Sequence, residues 1–401
     1  MAMRIAFIAD GRAENFRRLM WYFAKQGDTV YILSTYPCGS FGNNKLYVLP
    51  GIVRASNALI KRSDMQDQFV RQVRLGRRFL LGGLGTLLFS LWSIVKIINV
   101  LPQMLVARYI LRNLKPDIVV AFRTQNEGYI AALSGIHPWA LFTQGSDFIY
   151  IAHRHRLHAL MTSIAVHRAD ALIADCQRDV ALAQQYGFSK NNPSILSPGN
   201  GGVDLSIYRP GRAANQRERW VVYPRGLATY IRLDILLCSI LSLQHEPDYS
   251  DVSYKLLVTP AVVSVVESMA RRQGLNMSKI DILPFMSQNE LAALLQKAAA
   301  IVSPSLTDGT PNSMLEAMAC GAFPVMSNLE SIREWISHGL NGLLFDPTQP
   351  QDLTNCLRIA LNDVILRQQA QELNMEIILK RAAYLHVMPE VRQFIKTVSG
   401  L

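Results

Sequence analysis

The chain has 401 residues, half of them hydrophobic, with 41 Lys+Arg against 30 Asp+Glu and a net charge of +11. This length exceeds one ordinary core and predicts two domains of about 200 residues each, and the apolar content excludes a disordered chain. Five cysteines (Cys38, Cys176, Cys238, Cys320 and Cys356) are scattered with no CxxC pair, which excludes a disulfide scaffold or a zinc ribbon and fits a reducing compartment.

The opening residues, Met1 to Asp10, hold too short an apolar run for a signal peptide and predict a first buried strand, Arg4–Ala9. Asp10-Gly11 then turns the chain; it reads either as a cleft-lining loop or as a generic turn. Charge is uneven. Residues 1–200 hold 23 Lys+Arg and 11 Asp+Glu, a net of +12, whereas residues 201–401 hold 18 and 19, a net of −1. Seven basic residues fall within 54–78 (Arg54, Lys61, Arg62, Arg71, Arg74, Arg77 and Arg78) against Asp64 and Asp67. Neither a nucleic-acid motif nor an aromatic platform accompanies them, so nucleic acid is not the expected partner. An anionic membrane surface or a phosphate-bearing acceptor fits better, because an apolar stretch follows. Phe79–Val95 runs 17 residues without a charge, Lys96 interrupts, and Ile97–Ala107 continues through Pro102. Three readings compete: a buried helix of the N-terminal domain, a monotopic surface with apolar side chains in lipid, and a spanning helix. The last is the weakest, since it would split a domain whose strands must pair.

Short apolar runs at Val30–Ser34, Ile118–Ala121, Ala140–Thr143 and Ala171–Ala174 predict further strands of a parallel sheet with helices between them. His153, His155 and His158, with Arg154 and Arg156, read as a basic helix face and not as a metal cluster. Pro- and Gly-rich Ser197–Pro210 reads as a link. A second set follows at Trp220–Tyr223, Lys255–Thr259, Ile280–Leu283, Ala300–Ser303 and Phe323–Ser327, so two doubly wound units in tandem are expected, with ligands at the C-terminal strand ends. Tyr384–Leu401 reads as a helix after Pro389.

The most informative stretch is Ser305-Leu-Thr-Asp308-Gly-Thr-Pro311-Asn-Ser-Met-Leu-Glu316-Ala-Met-Ala-Cys-Gly321. It joins a strand to a helix beginning near Asn312, with Pro at its start and Gly321 as its stop. A strand, a Gly-containing turn and a helix N-terminus form an anion site. Asp308 stands before that site and Glu316 within the helix. Two carboxylates framing a phosphate site suit hydroxyls on both sides of a diphosphate, which is the layout of a sugar nucleotide.

This segment resembles the donor-site signature of retaining GT-B glycosyltransferases, the group 1 or family 4-like type, with its two acids eight positions apart; here the usual first Glu is Asp308. The resemblance extends to Asn341-Gly-Leu-Leu-Phe-Asp346-Pro, to Ser197-Pro-Gly-Asn200-Gly-Gly-Val-Asp204 and to Tyr223-Pro-Arg225-Gly226, and is weak before residue 140. It implies two facing Rossmann-like domains: an acceptor domain over 1–205, basic and with a membrane-facing segment at 54–107 in one reading; a donor domain over 206–383; and a terminal helix, 384–401, crossing back to the first domain. Arg225, Asp308 and Glu316 are the implied catalytic residues. Arg225 would take the diphosphate, Glu316 the ribose hydroxyls, and Asp308 the transferred sugar with the amides near Gly309 and Thr310. Pro311, Asn312 and Ser313 complete the donor site. The family Lys six residues after the Arg is replaced by Ile231, leaving Tyr230 or Arg232 as substitutes. Gln144-Gly145 stands where relatives carry His-Gly, and with Asp10 and Gly11 it is the expected acceptor cleft. The resemblance implies a nucleotide sugar as co-substrate, no metal and no other cofactor. From the basic charge and apolar stretch of the N-terminal half alone, the expected acceptor is a saccharide, lipid-linked or membrane-borne, of a surface polymer, and the expected location is cytoplasmic or peripheral on the inner membrane face. A transferase for a small soluble acceptor, or a non-catalytic binding subunit, are the alternatives.

Overall fold

The structure is a computed structural model that describes residues 2–51 and 82–401, and for 82–96 and Arg154 the backbone alone. The basic run at 54–78 and the first residues of the apolar stretch, 79–81, lie outside the described residues.

Two all-parallel sheets account for the strands. The first contains β1 (Arg4–Ala9), β2 (Thr29–Ser34), β3 (Lys45–Val48), β4 (Ile118–Phe122), β5 (Trp139–Phe142), β6 (Ala171–Ala174) and β7 (Ser194–Leu196), in the order β3-β2-β1-β4-β5-β6-β7. The second contains β8 (Glu218–Tyr223), β9 (Ser253–Val258), β10 (Ile280–Pro284), β11 (Ala298–Ser303), β12 (Phe323–Ser327) and β13 (Leu343–Phe345), in the order β10-β9-β8-β11-β12-β13. The expected pair of doubly wound α/β units is present. Central strands are apolar over most of their length because helices cover both sheet faces; every residue of β4 and β11 is buried. The edge strands β3 and β7 escaped the sequence reading. They bury no residue fully, so they carry none of that apolar signal.

Of the described residues, the first unit takes those up to Gly201 and again Val387–Leu401; the second takes Gly202–His386. The helix Tyr384–Ser399 begins before Pro389 instead of after it. A proline at that place deprives the carbonyl of Leu385 of its helical donor, and Leu385 is 83% exposed. Arg392 on this helix makes two bonds to Asp28, from Nε to Oδ2 at 2.6 Å and from Nη2 to Oδ1 at 2.7 Å. Asp28 Oδ1 also accepts from the Met3 amide, so the helix is tied to the entrance of β1 and β2.

The helix Gly82–Leu114 has a buried stripe, Val100, Gln103, Ala107 and Leu111, against the first core. Its opposite side shows Ile98, Leu101, Leu105 and Tyr109 at 51–70% exposure. Among the described residues, no helix is long and apolar enough to cross a membrane.

In the second unit the helix Asn312–Cys320 is buried along nearly its whole length and ends at Gly321 with φ +79°. Buried Arg217 closes this end, donating to the carbonyls of Leu295, Ala298 and Cys320 at 2.8–3.1 Å. A Cβ on Gly321 would lie 2.6 Å from Arg217 Nη2, whereas one on Gly27, with the same φ, meets nothing within 4 Å. Gly27→Ala should therefore cost only the left-handed backbone, about 1 kcal/mol. Gly321→Ala should cost more and lower Tm further, a difference that parallel thermal melts of the two variants would measure.

Candidate active site

In each sheet the strand order reverses once, between β1 and β4 and between β8 and β11. Loops leaving the C-terminal ends of such a strand pair diverge and open a crevice. Arg225 leaves β8 and Asp308 leaves β11. They meet there, Arg225 Nη2 donating to Asp308 Oδ2 at 2.6 Å, with both side chains about 15% exposed.

The two loops are laced together by their backbones. The Arg232 amide donates to Pro304 O and the Leu306 amide to Tyr230 O, each at 2.8 Å, around a bridge between Ile231 and Ser305. The Arg225 turn is fixed by Gly226, at φ +65°, whose carbonyl accepts from the Tyr223 hydroxyl and whose amide donates to Leu257 O. Asp308 is fixed by its own backbone: its carbonyl accepts from Ser331 Oγ at 2.8 Å, and its Oδ1 accepts from the Gly309 amide at 3.1 Å.

Beyond Asp308 the helix opens at Pro311 with no side-chain cap. The first helical amides have no acceptor within a helix. Around them Thr307 Oγ1, Asn312 Oδ1 and Ser313 Oγ are buried without a hydrogen-bond partner, and so is Arg225 Nε. Buried polar atoms are rarely left so; gathered at one helix mouth, these four can pair with a polar ligand. Thr310 is buried and accepts from Trp335 Nε1 at 3.3 Å. Glu316 sits in the interior of the helix, 7% exposed. Burial pushes the Cys320 thiol up to about 12, and the Glu316 charge adds to that.

One of the two expected substitutes for the family Lys is held by a neighbour. Arg232 puts Nε and Nη2 on Asp234 at 2.9 Å and reaches Pro347 O. Tyr230 contributes its carbonyl to the lacing. Ile231, at the place of the family Lys, is a core residue of 6% exposure.

The other predicted residues lie in the first unit. Asp10 forms an ion pair with Arg12 at 2.8 Å, and although burial opposes it, the bonds from Arg12 hold its carboxyl below the usual range. The Gly11 amide donates to Ser34 Oγ, and a Cβ there would lie 2.5 Å from Cys38 Sγ. Gln144 bonds Asn200 Oδ1 through Nε2 at 2.6 Å and accepts from Asn15, and the Gly145 carbonyl accepts from Arg178. The three histidines diverge: His158 meets the Tyr129 hydroxyl, His155 caps its own helix through the Leu157 amide, and His153 faces Tyr186. Among the described residues no three His, Cys, Asp or Glu side chains gather as a metal site. Sequence reasoning passed over the loop after β4, where Glu127 is 3% exposed and bonded by Thr35 Oγ1 at 2.6 Å. Desolvation raises its carboxyl to about 7, and raises the buried Asp147 carboxyl to about 6. The only signal in the sequence was a polar run, Arg123-Thr-Gln-Asn-Glu127, directly behind an apolar strand.

The family model for glycosyl transferases group 1 matches residues 264–374, and that for glycosyl transferase 4-like domains matches residues 92–176. The chain is 24% identical over 274 residues to the serotype-specific mannosyltransferase WbdA of Escherichia coli, covering 63% of this chain and 33% of WbdA, so it spans about a third of that relative's length. Over 81 residues it is 36% identical to the N,N'-diacetylbacillosaminyl-diphospho-undecaprenol alpha-1,3-N-acetylgalactosaminyltransferase of Campylobacter jejuni, 20% of this chain and 22% of that one. Among solved structures, Anabaena HepE in complex with UDP and glucose superposes with a TM-score of 0.70 at 16% identity, covering 98% of this chain and 99% of that one.

A buried acid with a raised pKa opposes folding as pH rises. The unfolded chain loses the Glu127 proton near 4.5 while the folded chain keeps it to about 7, so stability falls across that window by an amount of order 3 kcal/mol. The wild-type Tm should drop between pH 4.5 and 7, and Glu127→Gln should flatten much of that slope in melts recorded over the same range.

Proposed function

We propose that this chain, a GT-B glycosyltransferase by its matched domain models and its fold, moves a sugar with retention of configuration from a nucleoside-diphosphate sugar to a saccharide acceptor. The observation that carries the reading is the Arg225–Asp308 pair, set at a strand-order reversal beside an uncapped helix mouth with unpartnered polar atoms. Arg225 keeps its Nε for the leaving diphosphate, and the amides at Asn312 and Ser313 add their dipoles, so fixed charge takes up the negative charge that develops on the leaving group. Glu316 takes the ribose hydroxyls and Asp308 those of the transferred sugar. Asp308 is a poor nucleophile here, since one oxygen is bonded to Arg225 and the other to the Gly309 amide. Attack on the same face, with a donor phosphate oxygen accepting the acceptor proton, is the route consistent with that restraint. The reaction so read uses cationic and amide charge and no metal.

The acceptor in this reading is lipid-linked and met at an anionic membrane face, in the making of a surface polysaccharide. The stripe Ile98, Leu101, Leu105 and Tyr109 offers apolar side chains to lipid, and the net charge of +12 in the first 200 residues favours acidic headgroups. The Campylobacter relative is named for a diphospho-undecaprenol acceptor, and the Escherichia coli one for serotype.

A thermal-shift panel of nucleotide sugars should yield one base and sugar that stabilise the chain, by about 2.7 kcal/mol at a hundredfold excess over Kd. With that donor, Arg225→Ala and Glu316→Ala should each lower kcat/KM by roughly a hundredfold or more. No stabilisation by any donor, or full activity in both variants, would refute the donor assignment. Cosedimentation with phosphatidylglycerol vesicles, reversed by salt and weakened by Leu105→Ser with Tyr109→Ser, tests the membrane part separately; a protein that stays in the supernatant at low salt would end it.

A further inference from the structure

In the second sheet β12 runs parallel beside β11, so the segment that leaves β12 stands next to the turn that carries Asp308. That turn, Asp308–Pro311, belongs to neither strand nor helix. Its proline has no N–H and its glycine no side chain, so other groups must hold it. Ser331 Oγ donates to the Asp308 carbonyl at 2.8 Å, and Trp335 Nε1 donates to Thr310 Oγ1 at 3.3 Å. Ser331 lies in the short helix Glu330–Arg333, and the helical turn continues to Trp335, whose amide donates to Ile332 O. Residues four apart on such a turn share one side, so these two donors grip the Asp308–Pro311 turn on either flank of Gly309.

Trp335 is itself braced. It is buried, its carbonyl accepts from Asn341 Nδ2 at 2.8 Å, and the Arg381 guanidinium lies over its ring, 4.2 Å from the centroid. Arg381 Nη1 also donates to the neighbouring Glu334 carbonyl at 2.7 Å. Asn341 is bonded in turn to Asn374, and Asn374 and Arg381 both sit on the helix Val364–Arg381. The contact with Thr310 is chemically specific. An indole N–H can only donate, and when buried it needs an acceptor. A tryptophan anchored by its carbonyl and its ring holds that N–H in one place, and Thr310 has to bring its oxygen there. Arg225 is held by other means, through the Gly226 turn.

We infer that Trp335 is a positioning residue of the donor site: with Ser331 it clamps the Asp308–Pro311 turn, and through Thr310 it sets the amides that meet the transferred sugar. The clamp rests on the geometry of the second unit alone; its service to a sugar rests on the proposed donor reading. Trp335 acts only through Thr310, two residues past the ion pair that holds Asp308 to Arg225. Its influence is therefore one-sided. Loss of the indole N–H loosens the sugar side of the mouth, whereas the diphosphate side, at Arg225 and the start of the helix Asn312–Cys320, keeps its own supports.

Hydrogen–deuterium exchange on the full chain tests the clamp without a ligand. Trp335→Phe keeps an aromatic ring under Arg381 and loses the N–H; Thr310→Val keeps the shape and loses the oxygen. In each variant the amides across 308–313 should exchange faster than in the wild type, by about fivefold or more, while those of the helix Leu233–Gln244 stay as they were. The double variant should exceed neither single one by more than about twofold, since both remove the same bond. Thr310→Ser, which keeps the oxygen, should exchange more slowly than Thr310→Val. Unaltered exchange at 308–313, or faster exchange throughout the second unit, would overturn the inference. Isothermal titration then tests the service to the sugar, with UDP, GDP, UDP-glucose and GDP-mannose as probes. For the base that binds, Trp335→Phe should raise the Kd of the nucleotide sugar by about fivefold or more and leave that of the nucleoside diphosphate within about twofold. Equal weakening of both would mark a merely structural role and overturn the positioning claim. If neither these probes nor any other nucleotide sugar bound the wild type, and exchange behaved as expected, the donor reading would be refuted and the clamp would stand.

Discussion

Each unit depends on the same constraint: parallel strands joined by right-handed crossovers must reverse their order somewhere, and at that place two loops part with no strand between them. In the second unit, electrostatics and backbone pairing hold that opening in shape. Arg225 and Asp308 come from loops 83 residues apart in sequence, and their short ion pair sits on a framework of amide–carbonyl bonds that leaves neither loop free to drift. The pair is only partly shielded from solvent, so its worth as a stabiliser is modest. Its consequence is geometric, because it orients an arginine toward a helix mouth whose polar atoms have been left without partners.

That helix is also an unusual local solution. A buried helix has to dispose of its terminal carbonyls without water. Here a buried guanidinium, Arg217, takes the Cys320 carbonyl together with carbonyls at Leu295 and Ala298. Burial lowers the Arg217 pKa to about 10, which still leaves it charged at neutral pH. With the C-terminal end satisfied and the N-terminal end not, the helix presents its positive pole to whatever occupies the mouth.

The sequence made the central architecture legible wherever burial is complete. Strands such as β4 and β11, covered on both faces, are apolar but for the closing Ser303 of β11 and announce themselves; β3 and β7, at the sheet margins, do not. The turn and helix from Asp308 to Gly321 could be read because proline, glycine and paired acids have positional meanings independent of tertiary contacts. The long apolar stretch could not be settled from hydropathy, because over residues 97–114 one side of the helix feeds the core while the other remains exposed, and composition does not separate the two. Arg232 looked available as a phosphate ligand from its place in the chain. Its neighbour two residues on, Asp234, already holds it, and local pairing of that kind is invisible without coordinates. Glu127 was missed for the converse reason: a polar run after a strand ordinarily means a solvated loop, and nothing in the letters says that this one turns inward.

The first unit is completed by residues from both extremes of the described sequence. Asp28 and Arg392 are 364 positions apart, yet their bidentate bond ties the helix Tyr384–Ser399 to the start of the first sheet. A ribosome releases the strands β1 to β7 long before it makes Val387–Leu401, so the nascent first unit must wait, Asp28 held by the Met3 amide but without its arginine, while the entire second unit emerges. Maturation of this chain is thus ordered inside out: the intervening unit can finish first, and the flanking one closes only when synthesis has passed it.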